Sequence, residues 1–271
     1  MREVGGASVY AYTGSRAFDA ALPTIVFAHG AANDHGVWAL QSRYFAHHGR
    51  NVLALDLPGH GRSGGKPLAS VEAIAEWLVA LLDTARVERA ALVGHSLGAL
   101  AVLEAAGRHP ERVEKIALLG PAVPMPVSDV LLDAAKADDH LAYELITSWS
   151  FSAGHQLGGN ALPGVWMTGN ALHLMERSRP GALYVDLLAC HRYAGGLSAA
   201  SKVRCPALLI LGQRDLMAPP KNAAALSAAL ADQRIFSLPD CGHSLMTEAP
   251  DAVLDALRDF LRPQAPSQLS I

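Results

Sequence analysis

The sequence predicts an α/β protein built on a doubly wound, mostly parallel sheet with a mainly helical cap insertion, and three observations predict it. Short aliphatic and β-branched runs recur along the chain, helical patterns stand between them, and this alternation stops after Gly120 and resumes only after Ser201. The runs Thr24–Ala28, Asn51–Asp56, Ala90–Gly94, Val113–Gly120, Ala207–Gly212 and Arg234–Leu238 read as strands. Their near-continuous apolarity suits strands covered by helices on both faces, since a half-exposed sheet alternates instead. Ala7–Tyr12 is expected to add an edge strand.

Between the strands, Val71, Ile74, Ala75, Leu78, Leu81 and Leu82 recur at steps of three and four behind Ser70, a residue suited to cap the helix. Val37–His48, Leu97–Arg108, Asn222–Leu230 and Pro250–Leu261 read in the same way. Alternating strands and helices with right-handed crossovers give the doubly wound arrangement. Pro121–Ser201 holds helical pieces at Val130–Trp149 and Leu172–Glu176, broken by residues such as Gly158, Gly159, Pro180 and Gly181. A structureless loop of that length is out of keeping with a compact chain, and its Trp, Met and Leu content calls for packing. The expected organisation is therefore a core of residues 1–120 and 202–271 interrupted by a cap at 121–201, with a disordered tail over Gln264–Ile271.

Composition narrows the function. With 51% hydrophobic and 17% charged residues, the 271-residue chain can bury a sheet on both faces. Its formal charge of -3 arises from 22 basic and 25 acidic residues spread along the sequence, so no field draws a polyanion and nucleic acid is excluded as a partner. Neither end carries about 20 successive apolar residues, which excludes a membrane span there. Met1–Gly14 has no basic n-region or apolar h-region, so a cytoplasmic location is expected. Cys190, Cys205 and Cys241 are odd in number and form no C-x-x-C pair, as reduced thiols would be. None of the 12 histidines falls in an H-E-x-x-H pattern, and the adjacent His47 and His48 point to different sides of any helix. No metal and no cofactor are expected.

The strongest local signal is Gly94-His95-Ser96-Leu97-Gly98, a G-x-S-x-G between an apolar run and a helical pattern. A serine hydroxyl is a poor nucleophile until it is presented to a base and an oxyanion site, and a sharp strand-to-helix turn does this. Gly94 and Gly98 let such a turn close, and the amide of Leu97, at the helix N-terminus, can stabilise developing negative charge. Asp215 follows the run Ala207–Gly212, and His243 follows the run ending at Leu238, so nucleophile, acid and histidine occur in that order at strand ends. A histidine base needs a carboxylate on its other ring nitrogen, and Asp215 is preferred over Asp240 and Glu248, which lie too close to His243 in sequence.

Together with His29-Gly30, Asp56-Leu57-Pro58-Gly59-His60-Gly61-Arg62-Ser63, Gly212-Gln213-Arg214-Asp215 and Gly242-His243, these motifs resemble the α/β-hydrolase superfamily from Ala7 to Leu261. The resemblance implies a serine hydrolase with Ser96 as nucleophile, His243 as general base, Asp215 as its orienting acid, and the amides of Ala31 and Leu97 as oxyanion donors. It implies that His29 orders its loop and that Asp56–Ser63 is a structural turn after a strand, braced by Arg62. Cys241 reads as small packing.

Serine at the elbow argues against relatives that form their ester intermediate on an aspartate. What remains is acyl transfer to water, so the expected partner is a small-molecule carboxylic ester. Carbon–carbon bond hydrolases of ring-cleavage products share the triad, but many resemble a pattern with an aromatic residue where this chain has Ser244. Lactonase, perhydrolase and slow-turnover receptor readings stay open beside them. The insertion is expected to overhang Ser96 as a substrate-selecting lid. Trp149, Trp166 and Met167 are its candidate apolar contacts, with Phe151, Leu172 and Met175 nearby, and His140 and His191 are its candidate polar contacts.

Overall fold

The structure, a computed structural model, describes residues 2–159 and 164–262, so the expectation for Gln264–Ile271 lies outside the described residues. Strands β1 (Arg2–Val4) and β2 (Ala7–Val9) form an antiparallel ribbon. Strands β3 (Ala11–Tyr12), β4 (Thr24–Ala28), β5 (Asn51–Leu55), β6 (Ala90–His95), β7 (Val113–Leu119), β8 (Ala207–Gly212) and β9 (Gln233–Leu238) form one sheet in the order β3-β5-β4-β6-β7-β8-β9. It is parallel except for β3. The single edge strand expected over Ala7–Tyr12 is split at Tyr10, whose amide donates to Ser63 Oγ at 2.9 Å instead of to a neighbouring strand.

Helices α1 (Ala39–Ala46), α2 (Val71–Ala85) and α3 (Leu97–Arg108) follow β4, β5 and β6. Between β7 and β8 the chain forms α4 (Asp129–Lys136), α5 (Leu141–Ser150), α6 (Ala153–Gln156), α7 (Met167–Glu176), α8 (Ala182–Arg192) and α9 (Gly196–Ala200). Beyond β8 come α10 (Ala224–Ala229), α11 (Leu245–Glu248) and α12 (Pro250–Leu261). Ser70 caps α2 as its position suggests, accepting from the Ala73 amide at 3.1 Å. The continuous helical piece read over Val130–Trp149 is two helices, because Asp138 sits at φ 52° and turns the chain out of α4.

Successive residues of each strand face opposite sides, and from β4 to β8 both sides are largely apolar; β9, expected to be covered in the same way, is instead an edge strand whose residues 234–237 are exposed. Val26, Leu53, Leu92, Ile116 and Leu209 pack with α2 and α3. Ile25, Val52, Val93, Ala117 and Ile210 pack with Trp38, Phe45 and α12. The inserted helices have a smaller core of their own, in which Leu131, Ala135, Ala142, Met175, Leu183 and Leu187 meet Ala32 of the sheet's loop.

This topology fixes where a site can be. After β4 the chain adds β5 on one side, then crosses back to add β6 on the other, so β4 and β6 are neighbours whose connections leave in opposite directions. A crevice opens at such a switch point, outside the carboxyl ends of the strands. Ala28 is level with Gly94, so the next residues, His29-Gly30-Ala31 and His95-Ser96-Leu97, leave the sheet side by side.

The approach of α3 to β4 demands glycine, because a Cβ at Gly98 would run into the carbonyl oxygens of Ala28 and His29. Gly98→Ala is expected to cost about 1–3 kcal/mol of stability through overpacking against backbone. Denaturant midpoints of the two proteins check this; an unchanged midpoint would mean that α3 sits farther from β4.

Candidate active site

The elbow is built by backbone strain. Ser96 lies at φ 52° and ψ −117°, between the end of β6 and the first turn of α3. A non-glycine residue there costs about 1–3 kcal/mol, so the position persists only where its surroundings enforce it. Its amide donates to the Leu119 carbonyl at 2.9 Å, and its own carbonyl receives the Ala99 and Leu100 amides at 2.9 and 3.1 Å. The side chain is thereby lifted off the sheet into a cavity of about 380 Å³.

His243 and Asp215 meet beside it. His243 Nδ1–H donates to Asp215 Oδ2 at 2.7 Å, and the Ala218 amide donates to Asp215 Oδ1 at 2.7 Å. Burial alone would raise the Asp215 carboxyl, but the neighbouring His243 and these hydrogen bonds hold it below its ordinary value of 3.8. Asp240 is not the partner, and Glu248 has other work: its two oxygens accept the amides of Gly242 and Ser152, both at 2.9 Å. Gly120, at φ 57°, passes so close that a Cβ on it would lie 3.0 Å from His243 Cε1.

The loop bearing His243 is held from both sides. Its amide and that of Ser244 donate to the Ser150 carbonyl at 2.7 and 2.9 Å, which ties the loop to the end of α5. His95 Nε2–H donates to the His243 carbonyl at 2.9 Å, and the two rings lie 4.7 Å apart. Burial and the adjacent His243 push the His95 imidazole down to about 3, so it remains a neutral donor. The residue next to the serine thus ties the elbow to the His243 loop, a role not assigned from sequence although His95 stands within the G-x-S-x-G motif.

Of the two residues expected to supply oxyanion donors, Ala31 lines the cavity, and Leu97 is the first residue of α3, directly after Ser96. His29 orders its loop as expected: Nδ1–H donates to the Gly30 carbonyl at 2.7 Å and Nε2 accepts the Leu57 amide at 3.0 Å. Asp56–Ser63 is structural, with Asp56 accepting from the amides of His35 and Arg62, each at 2.8 Å, and from His35 Nδ1 at 2.7 Å. Arg62 braces the turn from 4.0 Å above the Tyr10 ring. Cys241 is buried and its thiol is pushed up to about 12 by burial and by Glu248 and Asp240, in keeping with packing.

The expected substrate contacts divide. Trp149 lines the cavity, as do Phe151 and Met175. Trp166 does not; it is 66% exposed and lies over Gly169 and His173. Met167 is buried in a different crevice, against Val37, Leu40 and Met246, because the start of α7 faces α11 and the loop before α1. His140 lies on the outer surface between Glu176 and Glu144, at 2.7 and 3.1 Å, and His191 accepts the Val127 amide at 3.2 Å from outside the cavity. Sequence reasoning missed Thr147, Met217 and the stretch Met125–Ser128, which also line the space. No described lining residue is Lys, Arg, Asp or Glu.

Because the folded protein holds the Asp215 proton more weakly than the unfolded chain does, the associated stability is present above pH 3.8 and is lost as pH falls through the lower folded value. Asp215→Asn should therefore make stability fall less steeply on acidification, with Asp56 retaining part of the slope. Denaturant midpoints from neutrality into the carboxylate range measure this, and an unchanged slope would count against a depressed Asp215.

Comparison with known proteins adds kinship to geometry. A family model described as "Alpha/beta hydrolase family" matches residues 25–256. A pimeloyl-[acyl-carrier protein] methyl ester esterase of Aromatoleum aromaticum is 31% identical, with 89% of this chain and 98% of that protein covered. Another of Chromobacterium violaceum is 29% identical over 90% and 96%. The crystal structure of an enol-lactonase from Burkholderia xenovorans is similar in fold, with a TM-score of 0.84 and 24% identity over 95% of this chain and 98% of that one.

Proposed function

From the premise that the chain belongs to the alpha/beta hydrolase family, we propose that it is a serine hydrolase cleaving neutral carboxylic esters of small to medium size through an acyl-enzyme. The observation that carries this reading is the strained Ser96 facing a mostly apolar cavity that also receives His243, whose far nitrogen donates to buried Asp215. A cavity of this size fits a modest ligand, and a lining without fixed charge favours an uncharged acyl or alcohol group. The two relatives named as methyl ester esterases support the ester class, though their carrier-protein substrate is stated of them alone.

In this mechanism His243 removes the Ser96 proton as the hydroxyl oxygen attacks the ester carbonyl, and Asp215 stabilises the resulting imidazolium. The amides of Ala31 and Leu97 receive the oxyanion. The imidazolium gives its proton to the departing alkoxide, leaving the acyl group on Ser96. Water then attacks that ester with His243 again accepting the proton, and collapse releases the acid and restores the serine. The inserted helices act as a cap whose Trp149, Phe151 and Met175 shape the acyl or alcohol site.

Ser96→Ala should remain folded and lose on the order of 10⁴ to 10⁶ in turnover of a nitrophenyl ester, and an organophosphonate should label Ser96 in the native protein. Near-normal hydrolysis by the folded variant would remove the mechanism.

Trp149 and Trp166 give a paired test of the cap. Trp149→Ala should redistribute rates among esters of different chain length, whereas Trp166→Ala, outside the cavity, should leave those ratios unchanged. Equal effects of the two substitutions on the ratios would show that the cavity does not select substrate.

A further inference from the structure

We propose that Asp186, on α8 of the insertion, is a positioning residue for the Ala31 oxyanion donor, so that the oxyanion site is complete only while α8 is docked on the core. This rests on the reading of Ser96 and Ala31 above. Asp186 Oδ2 accepts the Ala32 amide at 2.9 Å across 154 residues of sequence, and the same oxygen accepts His60 Nε2–H at 2.9 Å. Ala32, His60 and Asp186 are 1%, 2% and 1% exposed, so none of them can exchange this partner for bulk water.

The protonation state follows from the partners. His60 Nδ1 faces the Pro58 carbonyl at 3.1 Å while Nε2 faces the carboxylate, so both ring nitrogens donate and the ring is an imidazolium. Burial works against that charge, but Asp186 and the Pro58 carbonyl outweigh it and raise the imidazole above its ordinary range. The nearby His29 is its opposite, held neutral and pushed down to about 4 by burial and by His60. Asp186 is therefore fixed in place by a cation on the β5–α2 connection, and it presents one oxygen to the Ala32 amide.

That bond fixes the peptide next to the donor's own. Ala32 lies at φ 52°, a left-handed conformation that a non-glycine residue holds only under constraint. The planar peptide joining Ala31 to Ala32 is gripped at both ends, its carbonyl by Asn33 Nδ2 at 3.0 Å and its amide by Asp186. The preceding peptide is held by His29 on the Gly30 carbonyl, and in a trans peptide the Ala31 amide points away from that carbonyl. The Ala31 amide belongs to that Gly30–Ala31 peptide and Asp186 fixes the next one, so the rotation at Ala31 that relates the two planes is set only while both bonds are made. If α8 lifts, the Ala32 amide and the His60 cation lose their partner together, and the left-handed Ala32 is left with only the turn bond from the Asn33 amide to the Gly30 carbonyl at 3.3 Å and the Asn33 side chain on the Ala31 carbonyl.

Three proteins test this with a simple neutral ester and with a boronic acid, whose tetrahedral adduct on serine places an oxygen in the oxyanion site. Asp186→Ala is expected to lose on the order of 10² to 10³ in kcat, the cost of one oxyanion donor, with boronate affinity falling in parallel and KM little changed. Asp186→Asn keeps an oxygen for the Ala32 amide and is expected to retain most of kcat. Should Asp186→Ala not fold, the double variant His60→Phe with Asp186→Leu replaces the buried pair by apolar groups and carries the same expectation. Full kcat in Asp186→Ala, or in the double variant that stands in for it, would overturn the proposal. So would a rise in KM that accounts for the whole loss, or Asp186→Asn falling as far as Asp186→Ala. Failure of the native protein to be labelled at Ser96 would instead remove the serine-hydrolase reading itself.

Discussion

Ser96 is held at φ 52° and ψ −117°, where its side chain crowds its own backbone, and the surrounding chain has to supply what that conformation costs. Much of the architecture around it can be read as that supply. Gly94 and Gly98 let strand and helix approach until a Cβ on Gly94 would strike the Gly98 carbonyl, and Leu119 on the neighbouring strand takes the Ser96 amide. The parallel sheet matters because it sets β4 and β7 on either side of β6, one delivering the Ala31 loop and the other the anchor for the serine. The two core clusters on the faces of the sheet make that frame stiff enough to hold the strain.

A second theme is that buried carboxylates position backbone. Asp56 gathers the amides of His35 and Arg62, Glu248 gathers those of Gly242 and Ser152, and Asp186 takes that of Ala32. Loops that curl around a site leave amides pointing inward without a ladder partner, and an unsatisfied buried amide costs about 1–3 kcal/mol. A carboxylate satisfies two at once and fixes their relative direction. Two of these three bridges join the inserted helices to the loops of the candidate site, since Ser152 and Asp186 lie within the insertion. The insertion is thus part of the scaffold of the site as well as part of the cavity wall.

The sheet, the elbow and the pairing of Asp215 with His243 were legible because each leaves a local mark: a continuous apolar run, a glycine pair around a serine, a histidine after a strand. Contacts across the insertion were not. Nothing near Asp186 in sequence points to Ala32 or His60, because the bond is made by how α8 lies on the core. Trp149 and Trp166 looked alike as bulky residues in one segment. What separates them is where the packing leaves each: Trp149, near the end of α5, lines the cavity that holds Ser96, whereas Trp166, just before α7, is exposed. Composition identifies an apolar segment, but only packing decides which apolar residues become its own core and which face a ligand.

The histidines show how partners, more than proximity, decide charge in such a site. His29 and His95 are each given an arrangement that a neutral ring satisfies, and burial holds both far below neutrality. His60 faces two acceptors, which raise its imidazole against the pull of burial, and Asp186 supplies the matching charge within the same buried pair. His243 has a carboxylate on one nitrogen, and in the proposed mechanism its other nitrogen takes the serine proton. A permanently charged His95, 4.7 Å from the His243 ring, would oppose the imidazolium on which that mechanism depends. Keeping His95 neutral while using its N–H on the His243 carbonyl gives mechanical coupling without electrostatic opposition. The same economy extends to the cavity wall, where the described residues carry no fixed charge: a charged ester group would be desolvated there without a counter-ion, and a neutral one would not.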